Sequence, residues 1–212
     1  MTVHPIETQS YRILAERVDL SGLGPGARAV VSRVIHASAD VEYASTMVVD
    51  EAAVEAGVAA LRRGAPVVAD VEMVAAGIKG IEAVCYLAAA TAGDGVTRSA
   101  AAMRIAAGRH PEGAVVVVGC APTALAEVVD LWTAGAFHPA MVVGLPVGFV
   151  GAAEAKEALR RAGPGLRGPN AGPGLRGPNA GHALASVTNV GEKGGSAVAA
   201  AAVNAMVRLA RG

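Results

Sequence analysis

A histidine closes an apolar run in Arg33-Val-Ile-His-Ala-Ser-Ala-Asp40, and imidazole is the side chain that gives or takes a proton near neutral pH. Acid–base work is one reading of His36. A helix-end residue satisfied by its own hydrogen bond is the other. Arg98 follows Thr97 where a helix is due to start. Its guanidinium is either a fork for a carboxylate or a solvated surface charge. Asp70 and Glu72 stand two residues apart, which places both on one face of a strand. They are a carboxylate pair or, more simply, residues with a structural capping role. Several other chemistries lack their pattern. There is no G-x-S-x-G nucleophile elbow. No G-x-G-x-x-G follows a strand, and Gly191 to Ser196 lacks the spacing of a phosphate-cradling loop. Cys85 and Cys120 belong to no C-x-x-C or Cys/His cluster. That argues against structural zinc or a disulfide framework, and for two buried free thiols.

Short β-rich runs alternate with alanine-rich helical stretches, a pattern that implies α/β architecture. The sheet is read as mostly parallel and five-stranded, with helices on both faces. The strands are predicted at Pro66 to Asp70, Ala83 to Leu87, Ala114 to Val118, Ala140 to Val143 and Leu184 to Thr188. Most are Val-rich, as burial on both faces requires. Asp50 caps a helix running through Glu51 and Leu61 to Gly64, and Thr97 caps Arg98 to Ala107. Further helices start near Pro122, after Gly151 and at about Gly195, and two earlier ones span Gln9 to Arg17 and Pro25 to Ala37. In such sheets ligands bind beyond the carboxyl ends of the strands. The candidate loops are therefore Asp70 to Gly77, Gly119 to Thr123, Gly144 to Gly151 and Gly191 to Ser196. Their small residues let backbone N–H groups approach an anionic ligand, although ordinary tight turns have the same composition.

With 212 residues, 53% of them hydrophobic and only 3% aromatic, the chain fits one domain over residues 1–212 with a sizeable core. Forty-eight alanines and 27 glycines imply close-packed helices rather than an aromatic-rich β-sandwich. Eighteen basic residues offset eighteen acidic ones, which leaves no global field for nucleic acid or an anionic membrane. The uncharged stretch from Leu131 to Ala153 is broken by Gly135, Pro139, Gly144, Pro146, Gly148 and Gly151, so it does not read as a membrane span. The first residues show no signal or transit pattern, which points to the cytoplasm. Ala162 to Asn170 is repeated residue for residue as Ala171 to Asn179. This Gly/Pro unit, at about residues 162–181, is predicted to be an exposed insertion of little cost.

Seven blocks in order resemble one family. They are Val34-Ile-His-Ala37 with Val41-Glu42, Gly64-Ala-Pro66, Asp70-Val-Glu-Met-Val-Ala75, Thr97-Arg-Ser-Ala-Ala101, Ala121-Pro-Thr-Ala-Leu125, Gly144-Leu-Pro-Val-Gly-Phe-Val-Gly-Ala-Ala153 and Lys193-Gly-Gly-Ser-Ala197. Together they span nearly the whole chain and resemble the precorrin-8X methylmutases, including the cobalt-precorrin-8 branch. The resemblance implies an isomerase of cobalamin biosynthesis that moves a methyl group from C-11 to C-12 of precorrin-8X, a [1,5]-sigmatropic shift giving hydrogenobyrinate. Cobalt-precorrin-8 is the alternative substrate, and a non-catalytic tetrapyrrole carrier the alternative function. No cofactor and no metal site are implied. His36 matches the family's presumed catalytic acid, and Ser10 and Arg98 match positions lining the substrate pocket. Thr97, Gly119, Thr123 and Gly148, on the neighbouring loops, complete the expected substrate-binding set. A homodimer whose active site draws on both subunits is implied as well. Cys120 departs from the asparagine usual at that place.

Overall fold

In the computed structural model, which describes residues 4–93, 95–163 and 183–212, the strands form one six-stranded sheet in the order β1-β6-β5-β4-β2-β3. They are β1 (Met47–Val49), β2 (Val67–Ala69), β3 (Ala83–Cys85), β4 (Val115–Val118), β5 (Met141–Gly144) and β6 (Ser186–Asn189). The pairs among β2 to β6 are parallel, with Val67 opposite Val115 and Val142 opposite Ser186. Five strands lie where the valine runs place them. The sixth, β1, corrects the five-stranded expectation: it pairs antiparallel with β6 at the sheet edge, Met47 opposite Asn189. Three residues, none fully buried, are too short to show a period. Antiparallel edge strands on otherwise parallel sheets are common.

The helices are α1 (Pro5–Arg17), α2 (Pro25–Ser38), α3 (Tyr43–Thr46), α4 (Glu51–Arg62), α5 (Glu72–Gly77), α6 (Arg98–Arg109), α7 (Pro122–Thr133), α8 (Ala152–Ala162) and α9 (Ser196–Ala210). The predicted caps are present. Asp50 accepts from the Ala53 N–H at 2.6 Å and Thr97 Oγ1 from the Ala100 N–H at 3.2 Å. Pro25 and Pro122 open their helices, and Gly64 turns left-handed just beyond α4 with φ 75°. The short α5 falls within the Asp70 to Gly77 segment read as a loop, and α3 within a stretch to which the sequence pattern assigns no element.

Strand alternation divides the interior in two. Val67, Ala69, Val115, Val117, Met141, Val143 and Val187 pack with residues of α2, α4 and α9. Val68, Val116, Val118 and Val142 pack with residues of α6, α7 and α8. Helices therefore cover both faces. Most of the duplicated Gly/Pro segment lies outside the described residues. Its flanks meet, because the Leu184 N–H donates to the Ala162 carbonyl at 2.8 Å. Among the described residues, no helix is long and apolar enough to cross a membrane.

Candidate active site

His36 stands in the last turn of α2, which Ala39 ends in the left-handed conformation at φ 54°. Its ring is held from two sides by α1. Ser10 Oγ lies 2.7 Å from Nδ1, and the Tyr11 ring stacks on the imidazole at 4.9 Å between centroids with an 18° interplanar angle. The hydroxyl donates to a bare Nδ1, or accepts from Nδ1–H when the ring is protonated. In either case Nε2 is the nitrogen through which the half-buried ring can address a ligand. Helix α1 is itself fixed. Arg33 Nη1 donates to Glu7 at 2.8 Å and to the Tyr11 hydroxyl at 3.4 Å, and Arg208 of α9 reaches the same Glu7 at 3.3 Å. A cavity of about 580 Å³ between α1 and α2 is lined in part by Tyr11, Leu14, Arg17, Arg28 and Ser32; Tyr11 is its one link to the stack, since neither His36 nor Ser10 lines it.

A second group gathers at the carboxyl ends of the strands. Asp70 is fully buried after β2 and accepts from the backbone N–H groups of Gly119, Cys120 and Ala121 at 3.0, 2.8 and 2.8 Å. Burial pushes its carboxyl up, while the three donors oppose that. It is therefore a brace for the turn that starts α7, in keeping with the capping reading, and the pairing with Glu72 is not made. Gly119 is packed so tightly that an added Cβ would lie 2.8 Å from both Val74 and Ala199. Thr97 Oγ1 and Thr123 Oγ1 share a hydrogen bond of 2.7 Å, which ties the start of α6 to the start of α7. Arg98, Thr97 and Thr123 are exposed. The Gly148 N–H donates to the Glu192 carbonyl at 3.2 Å, which joins the β5 and β6 loops.

The predicted residues thus fall into two sets. Ser10 and His36 touch each other in the α1–α2 layer; Thr97, Arg98, Gly119, Thr123 and Gly148 frame the strand ends. Lys193, from the loop after β6, links the two. Its ammonium reaches Asp40 at 2.7 Å and pairs with Glu42, both just beyond the end of α2. Sequence reasoning assigned no role to Tyr11, Lys156 or Lys193. Lys156 carried a readable signal, since it shares the spacing of Ala152, Ala155, Leu159 and Ala162 on the buried face of α8. The thiols correct another expectation. Both are free, but Cys85 is half-buried and Cys120 exposed. Burial and the nearby Asp70 push the Cys120 thiol up, away from the reactive thiolate.

The family model described as CbiC, precorrin-8X methylmutase, matches residues 5–209. The chain belongs to the precorrin-8X methylmutase family. Two relatives carry the two family names at equal similarity. The cobalt-precorrin-8 methylmutase of Methanothermobacter thermautotrophicus is 36% identical, over 98% of this chain and 94% of its own. The precorrin-8X methylmutase of a Sinorhizobium species is also 36% identical, over 96% and 93%. The crystal structure of the Thermus thermophilus precorrin-8X methyl mutase superposes with a TM-score of 0.78 at 34% identity, covering 97% of this chain and 95% of that one.

Proposed function

We propose that this member of the methylmutase family moves the methyl group of precorrin-8X from C-11 to C-12 and that His36 is its catalytic acid. The observation that carries the reading is the imidazole itself, half-buried, stacked on Tyr11 and hydrogen-bonded through Nδ1, which leaves Nε2 as its second nitrogen for a ligand. In the shift the bond from the methyl carbon to C-11 breaks as the bond to C-12 forms, with no change in atoms or oxidation state. His36 lends its proton or a strong hydrogen bond to the ring system, redistributes its π electrons, and recovers the proton afterwards. A positioned acid supplies on the order of 10²–10⁴-fold. The substrate's carboxylates need local donors. Arg98 and the Thr97–Thr123 pair, all exposed, are the donors that remain to supply them, since the N–H groups of Gly119, Cys120 and Ala121 are taken by Asp70 and that of Gly148 by the Glu192 carbonyl. We further propose a homodimer, supported by the apolar residues left in water: Phe149 is 91% exposed and Val150 88%.

The test is spectroscopic. Purified protein mixed with precorrin-8X should convert it, as read in the visible spectrum, and His36→Ala should lower the rate by about 10²-fold or more. Bound but unchanged substrate would instead make the protein a carrier. A parallel incubation with cobalt-precorrin-8 decides between the two rings, and faster turnover of the cobalt form would reassign the substrate.

A further inference from the structure

Lys156 is sealed from solvent within α8, and among the described residues it makes no ion pair with a carboxylate. A buried ammonium so placed demands other partners. Its Nζ donates to Asn189 Oδ1 at 3.0 Å and to the Lys193 carbonyl at 2.6 Å. Asn189 Nδ2 donates to that same carbonyl at 2.9 Å and to the Val190 carbonyl at 3.2 Å. The segment gripped in this way reaches in three directions. Its Glu192 carbonyl accepts from the Gly148 N–H, and its Gly195 N–H donates to the Leu145 carbonyl at 2.8 Å. Gly194 lies against the Leu145 and Pro146 carbonyls so closely that no Cβ fits. The Lys193 side chain fastens Asp40 and Glu42 beyond the His36 end of α2.

We propose that Lys156 is a positioning residue for the methyl shift: by holding the Lys193 carbonyl it sets the 190–195 loop, and through that loop both the His36 end of α2 and the Gly148 turn. The claim rests on the role of His36 given above. The charges that act on Lys156 are Arg160, one turn along α8, and Glu192 in the loop. β6 presents the neutral Asn189, the β5 loop presents carbonyls, and the Lys193 ammonium is drawn away to Asp40 and Glu42. Burial first, and then Arg160, bring the amine down to about 8, with Glu192 opposing. When the loop opens, water restores the ordinary lysine affinity for the proton. Protonation therefore favours opening, and the latch tightens as pH rises.

Hydrogen exchange of the full-length protein without substrate tests this directly. After correction for intrinsic rates, exchange of the Gly148 and Gly195 amides should fall about tenfold between pH 7 and pH 9 in wild type and show no such trend in Lys156→Met. A flat wild-type profile, or the same slope in the variant, overturns the latch. With precorrin-8X, Lys156→Met should lower kcat about tenfold and leave KM within about threefold, since the residue acts through the placement of His36. Unchanged kcat overturns the positioning role. If wild type converts no substrate, it is the functional reading that fails, and the exchange slopes still decide what Lys156 does.

Discussion

At His36 the balance of roles between Ser10 and Tyr11 is open to measurement. The resemblance places Ser10 among substrate-lining positions, whereas its Oγ is 2.7 Å from the imidazole Nδ1. The two roles separate kinetically. If Ser10 orients the ring, Ser10→Ala loses one hydrogen bond worth about 0.5–1.5 kcal/mol, so kcat falls roughly two- to tenfold at constant KM. A rise in KM alone would return Ser10 to substrate binding. Tyr11→Leu removes a stacked ring worth about 0.5–1.5 kcal/mol and should lower kcat to a similar extent. Tyr11→Phe keeps the stack and should stay close to wild type. The proton NMR signals of His36 provide a direct check, because the ring-current shift imposed by Tyr11 disappears in the Leu variant and survives in the Phe variant. Asp70 is a residue of the other kind, acting on stability. Asp70→Ala removes the shared acceptor of three N–H donors, the buried one of Gly119 and the part-buried ones of Cys120 and Ala121. It should cost about 3–5 kcal/mol in a urea titration, and a loss below 1 kcal/mol would deny the brace.

Among the elements, α8 ties stability to pH. Lys156 holds its proton less firmly when folded, at about 8, than in the unfolded chain. Its stabilising contribution is therefore complete above the unfolded value and is lost as pH falls through about 8. Measured against Lys156→Met, wild type should gain up to about 3 kcal/mol between pH 7.5 and pH 10.5. A pH-independent difference would mean the amine is solvated as in water. The same element shows where legibility ended. Val115 to Val118 and the caps at Asp50 and Thr97 could be read because apolar runs and capping residues act over a few neighbours. β1 could not, since its three residues are a strand only through β6, some 140 positions later. The imidazole was legible from its place at an apolar helix end and from the family blocks around it. Its stack on Tyr11 was not, because it depends on how α1 crosses α2. Lys193 was quoted within a motif, yet its reach to Asp40 is a tertiary fact.

For the whole molecule the question is how a chain with zero net charge would bind the poly-acid ring of the proposed substrate. Ser10 and His36 lie in the α1–α2 layer, while Arg98 stands exposed at the start of α6. The loop after β5 projects Phe149 and Val150 into water, apolar area that the proposed second copy would cover. If one complete site takes His36 from one protomer and Arg98 from its partner, subunit mixing reveals it. On that arrangement His36→Ala and Arg98→Ala dimers should each be nearly inactive. A heterodimer formed from them holds one site with both lesions and one with none. Random exchange makes half of the dimers mixed, so activity should return to about a quarter of the wild-type level. If both residues serve the same protomer's pocket, every site in the mixture carries a lesion and no activity returns. Phe149→Glu in both partners should abolish the recovery by keeping the chains apart, with sedimentation showing monomer. A monomeric variant of full activity would remove the shared site altogether.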